Sequence, residues 1–212
     1  MDRKESILFH ARKQFTRFGY TKTTMDDIAR KCEITKPTLY QYYAGKADLF
    51  AAVIEEEQKA FFAMINKATA GVCGSAEKLR IYAELQIESI KRFLLLGELS
   101  RRSLLDLHPD ALKVMAVCRS KEEGMLADWI GEDICSGKFD SVDTRHAARV
   151  FFLTIASLKY DGLVLNSPSS DEISAGEAPI VQLAEDFRKF VDLFINGLKV
   201  RKKKNVKQAE VP

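Results

Sequence analysis

Proline and glycine are scarce in this chain, five and eleven among 212 residues, too few turn formers for a fold of many short strands. Cysteine is sparser still. Cys32, Cys73, Cys118 and Cys135 show no CxxC spacing and no histidine at ligand spacing, which argues against a disulfide scaffold or structural zinc and for free, buried thiols. His10, His108 and His146 are equally scattered. There is no glycine-rich phosphate loop, nucleophile elbow or HExxH stretch, and Glu55-Glu56-Glu57 reads as a solvated helix face. Neither a catalytic centre nor a metal or cofactor site is expected. Uncharged runs stop at nine residues, as in 150–158, far short of the roughly 20 that a membrane span requires. The first fifteen residues interrupt their apolar positions with charges, unlike a secretory signal, so a cytosolic location without membrane attachment is the expectation.

What is present is an ordinary globular composition, 46% hydrophobic and 30% charged, with a net charge of +3. The charge is unevenly spread. Residues 1–48 carry ten Lys/Arg against six Asp/Glu, residues 49–198 carry 17 against 23, and residues 199–212 carry six against one. Two basic ends around an acidic middle suit an anionic partner, although charged faces are usually only solvated.

The apolar spacing then predicts helices throughout. Ile7, Leu8, Ala11, Phe15 and Phe18 recur at helical steps before Gly19, a residue suited to the left-handed position that ends a helix. Thr24 reads as the N-cap of a second, short helix carrying Met25, Ile28, Ala29 and Cys32 on one face. Thr35 caps a third whose Pro37 falls in the first turn, where its missing N–H is harmless. Two short helices a few residues apart have the spacing of a helix-turn-helix.

The third helix has two apolar anchors in register, Leu39 and Tyr43. At about 100° per residue, Pro37 and Gln41 point away from them, flanked by Thr38 and Tyr40. This outer face bears hydrogen-bonding and aromatic groups but no carboxylate, which suits insertion into a groove lined by phosphates. A helix packed on its own domain is the bland alternative. Thr24 has a further physical reason to meet a phosphate, because a helix N-terminus offers free N–H groups and a positive dipole end.

Phe15, Gly19-Tyr20, Thr23-Thr24, Ile28-Ala29, Ile34-Thr35, Thr38-Leu39-Tyr40, Tyr43, Lys46 and Leu49 together resemble the N-terminal signature of the TetR family of bacterial transcriptional regulators. The likeness covers about residues 5–54. It implies an all-α homodimer in which an N-terminal three-helix helix-turn-helix domain binds DNA and a helical C-terminal domain binds an effector and dimerises. By that resemblance Lys36, Pro37, Thr38, Tyr40 and Tyr42 contact DNA, with Thr35 at the cap beside them, and Lys46 meets a phosphate. Tyr43 matches the buried aromatic. Glu33 stands where a turn glycine is frequent, and Pro37 where glycine is also common.

The expected division is 1–48 for DNA binding, 49–200 for the effector and dimer, and 201–212 as a basic tail. Helices are expected over 47–67, 75–96, 109–135, 143–165 and 179–200, with a break around 101–107 and a polar linker over 166–178. Phe61, Tyr82, Phe93, Met125 and Trp129 are candidate effector-pocket residues, with Glu88 and Asp128 as polar anchors, implying a small apolar or aromatic effector. The apolar stripe of the last two helices is broad, and Phe151, Leu158, Leu183, Phe187, Phe190 and Phe194 are expected at a two-fold four-helix interface. The resulting expectation is a repressor on a pseudo-palindromic double-stranded operator, released by its effector. A helical protein-interaction module is the alternative.

Overall fold

A computed structural model describes residues 2–95, 109–160 and 177–200. They form eight helices: α1 (Arg3–Lys22), α2 (Met25–Lys31), α3 (Lys36–Tyr42), α4 (Lys46–Thr69), α5 (Ser75–Leu95), α6 (Pro109–Cys135), α7 (Thr144–Tyr160) and α8 (Glu177–Leu198). The expected break at 101–107, the tail at 201–212 and the linker up to residue 176 lie outside the described residues, and residues 177–178 already belong to α8.

Local chemistry sets the helix ends. Asp2 caps α1, accepting the Arg3 N–H at 2.6 Å while its own N–H donates to Glu5 at 3.1 Å, a reciprocal capping box. Gly19 interrupts α1 at φ 78°, and the Thr23 N–H and hydroxyl both donate to the Gly19 carbonyl, at 3.4 and 2.8 Å. That break redirects the chain. Tyr20 takes the buried position and Phe18, expected on the apolar face, stands 42% exposed.

Two cores result. The first joins α1 to α3 with the opening turns of α4: Ile7, Ala11, Phe15, Tyr20, Ile28, Leu39 and Tyr43 meet Leu49, Phe50 and Val53. The Phe15, Tyr20 and Phe50 rings lie 5.0–6.0 Å apart, edge-on or stacked. Residue 48, where the first domain is expected to end, lies inside α4, and Leu49, Phe50 and Val53 just beyond it pack in the first core. Each fully buried Leu, Ile or Phe stabilises by about 1.5–3 kcal/mol.

The second core gathers α5 to α8 around Leu79, Tyr82, Ile87, Leu126, Ile130, Phe151, Phe187 and Ile195, with Ile65 entering from α4. Arg188 grips Glu84 with two nitrogens, at 2.6 and 3.1 Å, and Arg80 reaches Asp192 at 2.9 Å, fixing α5 against α8.

The residues expected at the dimer interface fall against this core. Phe151, Leu183 and Phe187 are buried within the single chain, and Leu158, Phe190 and Phe194 are partly buried against the same core. The stripe is broad because α8 packs on both α5 and α7; Phe190 and Phe194 lie 5.4 and 5.0 Å from the Phe151 ring. Among the described residues, Val150, Leu153, Val181 and Leu193 are the large apolar side chains left exposed on these helices.

The cysteines are free as expected, but Cys73 and Cys135 are exposed rather than buried.

Candidate nucleic-acid interface

The α2–α3 turn is short because Glu33 takes a left-handed conformation, φ 54°. The Ile34 N–H donates to the Ala29 carbonyl and the Glu33 N–H to the Arg30 carbonyl, at 3.1 and 3.2 Å. This paired closure is a Schellman motif built without glycine. Thr35 follows at once as the cap of α3, accepting the Thr38 N–H at 3.3 Å, and the two hydroxyls lie 2.8 Å apart.

Leu39 and Tyr43 then turn inward, at 0% and 4% exposure. Tyr43 carries a buried hydroxyl with no partner among the described residues, and burial pushes its phenol up. Pro37, Tyr40, Gln41 and Tyr42 are exposed and Thr38 is half-buried. Tyr40 and Tyr42, at 45% and 41%, are large apolar groups held in solvent. The uncharged outer face expected from the sequence is therefore assembled on one side of α3.

The flanking groups are more constrained than their sequence positions suggest. Thr24 is exposed at the start of α2 and accepts the Asp27 N–H at 3.1 Å, so its hydroxyl is already a cap. The hydrogen bond from the Thr24 hydroxyl holds the Asp27 carboxyl below its ordinary value. Lys36 pairs with Asp26 at 2.9 Å on the surface, and that bond raises its ammonium. Lys46 opens α4 as expected, yet its Nζ donates to the Tyr20 and Thr21 carbonyls at 2.9 and 3.4 Å and lies 4.5 Å from the Tyr20 ring centre. It closes the carbonyl end of α1, as a cation at a helix C-terminus does.

The effector candidates sit in the second core. Tyr82 is fully buried 6.0 Å from the Phe61 ring, Trp129 is 8% exposed and Met125 is partly buried. Phe93 lies outside the residues whose side chains are described. Glu88 and Asp128, expected as polar anchors, are both exposed: Glu88 lies two residues beyond the buried Gln86 and Asp128 one before the buried Trp129, off the inward face.

Gln86, Glu122 and Lys159 do enter beside Tyr82. Tyr82 donates to Glu122 at 2.6 Å, Gln86 donates to the Tyr82 oxygen at 2.9 Å, and Lys159 donates to the Gln86 oxygen at 2.9 Å. Burial pushes the Glu122 carboxyl up and the Lys159 ammonium down. A usable signal existed: Gln86 follows Tyr82 by four residues, and Glu122 precedes Met125 by three.

Residues 7–53 match the family model described as bacterial regulatory proteins, tetR family. The uncharacterised HTH-type transcriptional regulator YhgD of Bacillus subtilis is 42% identical over 69 residues, which is 30% of this chain and 36% of that relative. This chain thus spans about a third of the length of that curated relative. Two solved structures share the whole fold: the fatty acid degradation regulator FadR of Bacillus halodurans and FadR of Bacillus subtilis in complex with stearoyl-CoA. The first has a TM-score of 0.73 at 18% identity, covering 95% of this chain and 98% of its own. The second has a TM-score of 0.71 at 18% identity, covering 92% and 98%.

Proposed function

We propose that this chain, a TetR-family regulator by its N-terminal domain, binds a pseudo-palindromic DNA operator as a homodimer and is released from it by a small apolar or aromatic effector. The observation that carries the reading is the outer face of α3. Pro37, Thr38, Tyr40, Gln41 and Tyr42 are presented without a carboxylate by a helix anchored through Leu39 and Tyr43. A Gln amide in that position pairs with adenine N6 and N7, and Tyr and Thr hydroxyls reach phosphate or base edges. Thr24, Thr35, Lys36 and Lys46 border this face as backbone contacts. One short helix reads few base pairs, so two-fold repetition of the site supplies selectivity.

Val150, Leu153, Val181 and Leu193 support dimerisation through α7 and α8, because they remain exposed on the two helices whose inner faces are already filled. The effector site is the second core around Phe61, Tyr82, Met125 and Trp129. Gln86, Glu122 and Lys159 give that apolar lining the few polar contacts a ligand site uses. Ionisable groups in such a core cost stability that apolar residues of similar volume avoid, which favours a role in binding.

Release follows from differential affinity for two arrangements of the dimer. α4 is the lever: it runs from Lys46 beside the DNA face to Phe61 and Ile65 at the second core. The test is selection from a random-duplex library followed by a salt titration. A two-fold symmetric motif and a steep loss of affinity with salt are expected. Asymmetric or absent enrichment with a flat salt response leaves a helical protein-interaction module instead.

A further inference from the structure

Between them, α1 and α2 leave a cleft of about 760 Å³ that none of the α3 residues lines. Lys13, Arg17, Lys22, Arg30 and Lys31 line it, against a single carboxylate, Asp27. Among the described residues only Arg30 of these five lies within 4 Å of a carboxylate, its Asp27 contact being 3.8 Å. Two of the others rest on aromatic rings rather than on anions. The Lys13 ammonium is 4.6 Å from the Phe9 ring centre, and the Arg17 guanidinium 5.3 Å from that of Phe18. Phe18 is the side chain that the Gly19 break leaves in solvent, so the same kink that shapes the end of α1 also builds this wall.

Its lining includes Lys22 and Thr23, directly before the Thr24 cap of α2 and next in sequence to Tyr20 and Thr21, whose carbonyls hold Lys46. From Lys13 to Arg17, on the stretch of α1 before the Gly19 break, is four residues, about 6 Å at 1.5 Å per residue. That length is close to the rise of about two nucleotides along one strand at 3.4 Å each.

Resting on the DNA-binding reading, we infer that this cleft takes the phosphate backbone of the duplex flanking each recognised half-site, so that bound DNA bends toward α1. Lys13 and Arg17 are the contacts furthest from α3, and no base edge is within their role. Bending a duplex has an elastic cost that added backbone contacts must offset. Two phosphate contacts per protomer supply the compensating attraction, and each steepens the salt dependence by about 0.9 in log K against log salt.

The experiment uses the full chain and the duplex that selection recovers, made in two lengths: one ending at the half-site edges, one extended by about ten base pairs on each side. Dissociation constants are measured across a salt series for the unaltered chain, for K13A/R17A, and for K67A/K189A, which removes the same charge from exposed positions elsewhere. End-to-end energy transfer on the longer duplex reports bending. The expected result is a longer-duplex advantage with a steeper salt slope and raised transfer. K13A/R17A loses the advantage and about two units of slope per protomer, without altering the preferred motif, while K67A/K189A keeps all three. Equal affinity for both lengths, or K13A/R17A retaining the full advantage, overturns the inference and leaves half-site recognition standing. If K67A/K189A loses the advantage equally, net charge rather than the cleft is responsible and the inference also fails. Failure of the unaltered chain to bind either duplex overturns both readings.

Discussion

Ser75 places its backbone N–H and its hydroxyl on one carboxylate oxygen of Asp133, at 2.8 and 2.6 Å, across 58 residues of sequence. The carboxylate comes from the last turns of α6 and serves the start of α5, where N–H groups have no partner within the helix. Ser75 is 0% and Asp133 4% exposed, and Lys138 pairs with the second carboxylate oxygen at 3.1 Å. Two helices of the second core are thus tied by a cap rather than by apolar contact alone.

Replacing Asp133 by Asn therefore destabilises the chain by about 1–3 kcal/mol at neutral pH, the cost of disrupting hydrogen bonds to a buried charged group. Burial pushes the Asp133 carboxyl up, but the Ser75 hydrogen bonds and the Lys138 ammonium outweigh it and the net direction is down. A lowered carboxyl stabilises the folded chain above the unfolded value of about 3.9 and loses that contribution as pH falls through its folded value. Urea unfolding midpoints measured between pH 2.5 and 7 should converge for the two proteins at the acid end. Parallel curves at all pH values contradict the assignment.

Glu33 holds a left-handed turn that costs a side-chain-bearing residue about 1–2 kcal/mol. Glycine relieves that strain and loses part of the gain to its freer unfolded chain. Glu33→Gly should raise stability by up to about 1 kcal/mol, seen as a higher thermal midpoint, with duplex preference unchanged. A lower midpoint means the Glu33 side chain makes a stabilising contact.

On the α3 face, Gln41→Ala should leave stability within about 0.5 kcal/mol, as exposed substitutions do, and relax selection at one base pair of each half-site. Lys46→Ala acts on both fold and binding. It removes the hydrogen bonds that Lys46 gives the Tyr20 and Thr21 carbonyls, lowering stability by about 1 kcal/mol, and weakens all duplexes alike with a salt slope smaller by about one unit. An unaltered motif for Gln41→Ala, or a changed motif for Lys46→Ala, reverses these roles.

Assembly separates the surface from the core. Leu193 and Val181 are 73% and 64% exposed, so V181D/L193D should yield folded monomer in sedimentation with an unchanged far-ultraviolet helix signal. Phe187→Asp should unfold the chain, because it puts an unpaired charge into the second core. A V181D/L193D protein that stays dimeric moves the interface elsewhere.

The sequence by itself determined the helices and the inward side of the first domain. Gly19, Thr24, Thr35 and Pro37 mark boundaries by local backbone chemistry, and Leu39 with Tyr43 orients α3 by periodicity, which needs no distant partner. Residues far apart in sequence were decided by tertiary structure. That α8 fills against both α5 and α7 turned Phe151 and Phe187 from expected interface into core, since a stripe's width does not say how many neighbours cover it. That Lys46 meets the end of α1 depends on α4 lying antiparallel to α1. Gln86, Glu122 and Lys159 became one buried chain only when three helices met, because a charged residue reads as solvated until its surroundings are known.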